Sequence, residues 1–415
     1  MPLIRPFKAL RPLPQKAQEL AAPPYDVLNS DEARTMASGK PLSFLHISKP
    51  EIDLDPQIDH YSPEVYQKGA QNLQALINQG ILRQDKEAGY YFYEMEAEGH
   101  KQRGLVAVAS AEDYDRDLIV KHELTREDKE QDRIRMIDQM NCQASPVLLA
   151  FNADQEYRAI ATASTNNPPE FEVLGPDGVI HRLWCVFDPE LIERLNLIFT
   201  GPNAKVTKLY IADGHHRSAS GAKIAAKRKA ANPAHTGEEP YNYFLAVIFP
   251  ADQMRILDYN RVVKDLNGLR PDAFLAEIRG AFNLEEKSEA HRPTRPGEFG
   301  MYLERKWYKV TIKPQMIPTD PVQALDVSLL YDHLLAPILG IGNPRTDQRI
   351  DFVGGARGLG ELKRRVDSGE MAVAFSLYPT QMSQIMAVAE AGQIMPPKST
   401  WFEPKLLDGL ICHLL

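Results

Sequence analysis

The chain is 415 residues long, room for two or three domains, and its 43% hydrophobic and 25% charged residues are an ordinary globular composition. A formal net charge of −8 argues against broad nucleic-acid binding, which wants a basic face, although a local basic patch stays open. Three scattered cysteines (Cys142, Cys185, Cys412), no apolar signal core at the start and no run long enough to span a bilayer predict a cytoplasmic chain without a zinc site, a disulfide framework or membrane contact.

Residues 2–28 are rich in proline, from Pro2 to Pro23-Pro24, which predicts a stiff extended segment with one short helical piece near Gln15–Leu20. Asp26, after Pro-Pro-Tyr, reads either as an active-site acid or as a turn residue before a helix at Ser30–Met36. Leu42 to Ile47 reads as a strand. Pro63 to Gln79 has helical apolar spacing, with Pro63 at the start and Gly80 just past the end. Tyr90–Glu96 and Gln102–Ala109 flank Glu98-Gly99 as a β-hairpin; the aromatic run is a strand packed on a sheet before it is a base-stacking platform. Leu118-Ile-Val then leads through Lys121-His122-Glu123-Leu124-Thr125 into a charged helix, with Thr125 a candidate cap and Asp128 at the third helical position. That junction carries a base, His122, beside an acid, Glu123.

Pro146–Phe151 is another strand, and Phe171–Leu174 with Val179–Phe187 forms a hairpin around Gly175-Pro-Asp-Gly178. Asp188-Pro189 opens a helix through Leu197. Then comes the stretch around which the chain is organised. Leu209–Ala212 reads as a buried strand, Gly214 permits a tight turn, and an Ala-rich helix follows from Ser218. Asp213, His215, His216 and Arg217 thus sit where a strand hands over to a helix. Backbone N–H groups at a helix start favour anions, and Arg217 adds a planar donor fork for phosphate or carboxylate. Taken singly, Asp213 reads as a cap, either histidine as a core residue and Arg217 as half of a surface ion pair. Taken together they read as a site.

Tyr243–Phe249 is a strand, with Leu257–Val263 a candidate partner. Beyond Pro271 the pattern predicts a helix over Phe274–Phe282, a hairpin at Tyr302 and Trp307–Ile312, an apolar helix over Val327–Leu339 interrupted by Pro337, a strand at Arg349–Val353, a helix through Val366 and a strand at Met371–Leu377. A last amphipathic helix is capped by Thr380 and ended by Gly392. Strands alternate with helices but hairpins interrupt, so an α+β fold of mixed sheets, hairpins and helices is expected, divided into residues 1–265 and 266–415.

Gly354-Gly-Ala-Arg-Gly-Leu-Gly360 lacks the spacing of a dinucleotide or Walker loop and reads as a tight turn. Pro396-Pro397-Lys398-Ser399-Thr400 holds a cation and two hydroxyls between stiff flanks, suited to phosphate or an anionic substrate and equally to an ordinary loop. Adjacent histidines in a turn seldom share one metal, whereas a magnesium site through Asp213 and nucleotide phosphates is simple to build. No HExxH, Walker or GxSxG pattern occurs.

Ile4-Arg-Pro-Phe, Ala22-Pro-Pro-Tyr-Asp26-Val, Lys121-His-Glu-x-Thr125, Ala212-Asp-Gly-His-His-Arg217 and Met395-Pro-Pro-Lys-Ser-Thr-x-Phe-x-Pro-Lys405 resemble, over essentially the whole chain, the family called domain of unknown function 1015. The Asp-Gly-His-His-Arg core is also similar to the Asp-Gly-x-His-Arg motif of the ParB/sulfiredoxin superfamily, which includes free-serine kinases and CTP-binding partition proteins. The turn has no cysteine, so sulfiredoxin chemistry is not implied, and no helix-turn-helix follows as in the partition proteins. The resemblance implies a ParB/sulfiredoxin-like core that binds nucleotide phosphates through Gly214, His215, His216 and Arg217, and a C-terminal α/β region contributing the Pro-Pro-Lys-Ser-Thr loop. The expected activity is an ATP- or ADP-dependent phosphotransfer, with magnesium, to a small hydroxyl metabolite such as free L-serine. In that reading Asp213 holds magnesium or orients the nucleotide, and His215 or His216 with Arg217 stabilises the transferred phosphoryl group. Glu123 or Asp26 takes the hydroxyl proton, while His122, Thr125, Lys398, Ser399 and Thr400 hold phosphate or substrate. The alternatives are a nucleotide-sensing module without turnover and a metal-dependent phosphoesterase. Expected partners are nucleotide and small substrate, with no nucleic acid or membrane and an open question of homo-oligomerisation.

Overall fold

The computed structural model describes residues 3–201 and 203–415; Pro2, the first of the N-terminal prolines, lies outside the described residues. The fold is mixed α+β, as the alternation of helices with hairpins implies. It forms two compact units: Met1–Met254 with Pro404–Leu415, and Arg255–Glu403.

The first unit is built on a mixed sheet. From one edge its strands are Ile119–Val120, Leu209–Asp213, Val147–Phe151, Tyr243–Pro250, His100–Ser110, Tyr90–Ala97, Ile180–Val186 and Phe171–Leu174, with Ile4–Arg5 added beside His100–Ser110. Leu209–Asp213 runs parallel to Ile119–Val120 and antiparallel to Val147–Phe151. Tyr243–Pro250 is buried at every position, as a central strand covered on both faces must be, and it reads as an unbroken apolar run. The edge strand Phe171–Leu174 alternates buried and exposed. One face carries a core of Leu105, Val147, Leu149, Phe151, Leu209 and Ile248. A second core gathers Leu73 of the helix Pro63–Asn78 with Met136 and Met140 of the helix Glu127–Met140.

The tail Pro404–Leu415 is threaded into this unit. Ala22 and Asp408 exchange backbone hydrogen bonds at 3.2 and 2.8 Å, Leu10 and Cys412 do so at 2.9 and 2.8 Å, and His413–Leu414 pairs with Cys142–Gln143.

The second unit holds an antiparallel sheet in the order Phe282–Lys287, Lys306–Ile312, Glu298–Leu303, Val373–Leu377, Tyr259–Val263, Ile350–Gly354. The helix Gly358–Asp367 covers one face, where Val262, Tyr302, Val353, Leu362 and Ala374 form a core.

Several expectations are corrected. Residues 42–47 are not a strand; a short helix covers Leu45–Ser48, and Ser43 through Ile47 is buried but for His46. A short apolar run with no period does not distinguish strand from buried helix. The strand Tyr259–Val263 is no partner of Tyr243–Pro250; it pairs with Ile350–Gly354 and Val373–Leu377. Thr125 does not cap its helix: Arg126 is the N-cap residue, and the Thr125 hydroxyl is bonded to the Glu130 carboxylate. Nor does Thr380 cap, since Gln381 forms a capping box with Gln384 and Thr380 Oγ1 donates instead to the Ser399 carbonyl at 2.8 Å. The helix expected to reach Phe282 ends at Ile278, before Gly280, and Phe282 begins a strand. The apolar helix expected over Val327–Leu339 is a helix at Asp326–Leu330 continued by a wider π turn at Tyr331–Leu335.

Candidate functional site

The elbow is made by a bulge and a glycine. The register against Val147–Phe151 shifts between Ile211 and Asp213, which re-aims the Asp213 side chain as the strand ends. Gly214 then adopts φ +97, a left-handed conformation open to glycine, and the helix His215–Ala231 starts at once. No side chain caps that helix, so the first-turn N–H groups remain for an anion. A Cβ at Gly214 would lie 3.1 Å from Arg217 Nε. Gly214→Val should therefore cost about 1–3 kcal/mol through φ strain plus displacement of Arg217, read as a fall in urea midpoint with unchanged slope.

Arg217 is the charged centre. It is 9% exposed, donates through Nη1 to the Pro146 carbonyl, and lies 3.7 Å from both Asp26 and Asp213. Burial opposes its charge, but those two carboxylates more than offset it and hold the guanidinium firmly protonated. Asp213 accepts a 3.0 Å bond from Lys405 of the C-terminal tail. Burial disfavours its ionisation; the Lys405 and Arg217 cations overcome this and keep the carboxyl well below the usual range.

The imidazoles are neutral. His122 is fully buried, and burial pulls it down to about 4, with Asp213 pulling weakly the other way. Neither of its ring nitrogens has a hydrogen-bond partner, an unusual state for a buried polar group. Its ring meets that of His215 edge-to-face at 4.5 Å, and its backbone N–H makes a long 3.5 Å approach to His215 Nε2. His215 is depressed by burial and then by His122. Its Nδ1 faces Glu123 at 3.7 Å, close enough to orient the carboxylate but too far for a hydrogen bond. His216 Nε2 accepts the Arg126 N–H at 3.0 Å, so this side chain satisfies the N-terminus of the neighbouring helix. Both elbow histidines thus offer N–H dipoles rather than charge.

Asp26, His122, Glu123, Asp213, Gly214, His215, His216 and Arg217 are therefore gathered at one elbow of the first unit. Lys398, Ser399 and Thr400 belong to the second unit. Thr125 reaches the elbow only through Glu130, whose backbone carbonyl accepts from Ser220 of the elbow helix.

Four groups escaped the sequence reading. Lys405 closes the Met395–Lys405 motif, where nothing in the local pattern marks it as a site residue. Tyr25 adjoins Asp26 and lies under the Arg133 guanidinium at 3.8 Å, with burial pushing its phenol up to about 12. Asp408 is buried beside Ser145, its oxygens without a well-formed hydrogen bond; burial raises it to about 7 while Arg217 pulls it down. Tyr25, Arg133, Ser145 and Arg217 line a cavity of about 30 Å³, room for a water or two and far too small for a nucleotide.

Among the described residues no three acid, imidazole or thiol groups converge as a metal-ligand set. Asp213, the residue expected to bind magnesium, is already neutralised by Lys405 and Arg217. This donor set does not fit a protein-held metal. No described helix is long and apolar enough to cross a membrane.

The family described as "Protein of unknown function (DUF1015)" matches residues 4–328. Similar solved structures include a free serine kinase in complex with AMP, at 12% identity over 72% of this chain and 86% of that one, TM-score 0.33. Others are SbnI with C-terminal truncation from Staphylococcus aureus (13%, 73% and 85%, TM-score 0.37) and a conserved hypothetical protein from Pyrococcus furiosus (14%, 73% and 93%, TM-score 0.33). No curated protein matches the sequence.

Proposed function

This chain belongs to the DUF1015 family. We propose from its elbow that it is a nucleotide-dependent phosphotransferase acting on a small hydroxyl metabolite, and the resemblance of the Asp-Gly-His-His-Arg core to free-serine kinases puts free L-serine among the candidates. The observation that carries this is the uncapped start of the helix His215–Ala231, held beside the Arg217 and Lys405 cations.

In this reading the N–H groups after Gly214 and the Lys405 ammonium take the terminal phosphates of ATP or ADP. Arg217, fixed by Pro146, supplies charge that needs no reorganisation as the phosphoryl group transfers. The acceptor oxygen bonds to phosphorus, the bond to the departing nucleotide breaks, and the hydroxyl proton passes to a carboxylate. Glu123, oriented by His215, or Asp26, beside Arg217, is the acceptor of that proton; their side chains are 40% and 42% exposed, open to an incoming substrate. His122, fully buried, backs the His215 ring from inside and does not itself reach the ligand. Magnesium has no protein-held place in this proposal.

The test is turnover of ATP and of ADP with L-serine and a panel of small alcohols, followed by phosphorus NMR, alongside melting curves with each nucleotide. A nucleotide-dependent rise in melting temperature and a new phosphate ester are expected. No rise at millimolar nucleotide sinks the binding site, and a rise without product reduces the protein to a nucleotide sensor.

A further inference from the structure

The second unit contains a buried arginine with no acid to balance it. Arg261 is 4% exposed, on the strand Tyr259–Val263. Its Nη1 donates to the Tyr259 carbonyl and its Nη2 to the Lys398 carbonyl at 3.0 Å. Its guanidinium lies 5.2 Å from the Phe352 ring centre and 6.0 Å from that of Tyr259. Among the described residues no carboxylate is in ion-pair range of it. Other buried arginines are treated differently: Arg365 has Asp351 and Glu370, and Arg217 has Asp26 and Asp213. The nearest acid along its strand, Asp258, projects with Asn260 to the opposite face and is bonded there by Asn260 at 2.6 Å. An unbalanced buried charge is costly, and burial draws this guanidinium down to about 10.

A second cation shares the Tyr259 ring with it. Lys398 has φ +58, rare for a lysine, and is exposed, with its ammonium 5.6 Å from the Tyr259 ring centre. Its loop is held rigid: Pro396 and Pro397 precede it, and Ser399 Oγ donates back to the Pro396 carbonyl at 2.6 Å. Strain kept by surrounding hydrogen bonds is a mark of ligand-binding loops. The ring of Trp401 meets Tyr259 at 5.1 Å and completes an aromatic wall.

We propose that Arg261 and Lys398 form a phosphate-binding site in the second unit, walled by Tyr259, Phe352 and Trp401. A dianion balances two cations, and the guanidinium N–H groups not taken by the Tyr259 and Lys398 carbonyls are left to donate to phosphoryl oxygens. The site stands on its own residues and does not depend on the elbow reading. Inorganic phosphate presents the bare group, and phenyl phosphate presents it on the aromatic carrier that the wall favours.

The experiment is thermal melting of the full chain against both probes, in wild type, Lys398→Ala, Arg261→Met and the elbow variant Lys405→Ala. At least one probe should stabilise wild type, and the stabilisation should persist in Lys405→Ala. Lys398→Ala should weaken that effect by about tenfold in apparent affinity. Arg261→Met should abolish it and also raise the melting temperature without ligand, which loss of a merely structural arginine would lower. The site is refuted if neither probe stabilises wild type, or if Lys398→Ala responds as wild type does. It is equally refuted if the effect vanishes in Lys405→Ala alone, a result that would leave the elbow reading intact. Because Lys398 is exposed, its variant tests the site even if Arg261→Met does not fold.

Discussion

Replacing Arg217 with methionine should abolish nucleotide binding and destabilise the first unit by about 3 kcal/mol. The guanidinium lies 3.7 Å from two carboxylates, and it also anchors the elbow to the Pro146 carbonyl. Its removal strips Asp26 and Asp213 of their shared counter-charge, and Lys405 then balances Asp213 alone. Removing the buried partner of an ion pair leaves the other charge uncompensated, a cost that solvent reaching the 42% and 31% exposed carboxylates partly relieves. Urea unfolding should show a lower midpoint, and calorimetric titration with ADP should show affinity reduced by about a hundredfold or more. Arg217→Lys, which keeps charge but not the fork, should recover part of the stability and little of the binding. An unchanged midpoint in the methionine variant would mean that the guanidinium does not hold the elbow together.

The second large effect is a steep loss of stability in mild acid. His122 and His413 are held at about 4 and His181 at about 3, in each case by burial, and His215 lies well below its ordinary value. For such groups the unfolded chain binds the proton more readily. The stability they confer is whole above the unfolded value near 6.5 and drains away as pH falls toward the folded values. Asp408 opposes them: burial raises it to about 7, so its contribution is present at low pH and is lost as pH rises from about 4 to 7. Asp326, likewise raised by burial to about 7, opposes them in the same way. Four imidazoles against two carboxyls leave a net uptake of about two protons on unfolding between pH 6 and 5, a slope on the order of 3 kcal/mol per pH unit. Denaturation midpoints measured every half unit check it. His122→Asn should flatten the slope by about one proton, roughly 1.4 kcal/mol per unit. A flat profile through this window would show that these rings are not buried neutral.

The elbow was legible because its determinants are local. An apolar run, one glycine and an alanine-rich continuation lie within a few residues, and their strand, left-handed turn and helix follow directly. The bulge that turns Asp213 toward its partners left no such trace, since it arises from register against Val147–Phe151. Lys405 was illegible for a related reason: it meets Asp213 across 192 residues of sequence, and no periodicity reports a contact of that span. Tyr25 and Arg133 were hidden by their surroundings, a proline-rich turn and a charged helix face that look solvated until the guanidinium is seen over the ring. Leu45–Ser48 was misread because uniform burial erases the two-fold and 3.6-fold patterns alike. The roles of the histidines changed with burial, which sequence does not report: His216 secures a neighbouring helix, and His122 and His215 sit as uncharged rings.

The threading of Pro404–Leu415 into the first unit has a consequence for biosynthesis. The elbow emerges from the ribosome early, yet Lys405 arrives only after the whole intervening unit has been translated. Until then Asp213 lacks its lysine, and the backbone of Leu10 and Ala22 waits for Cys412 and Asp408. A nascent chain therefore lacks the Lys405–Asp213 contact until its last residues are made, and any fragment stopping short of Pro404 lacks it for good.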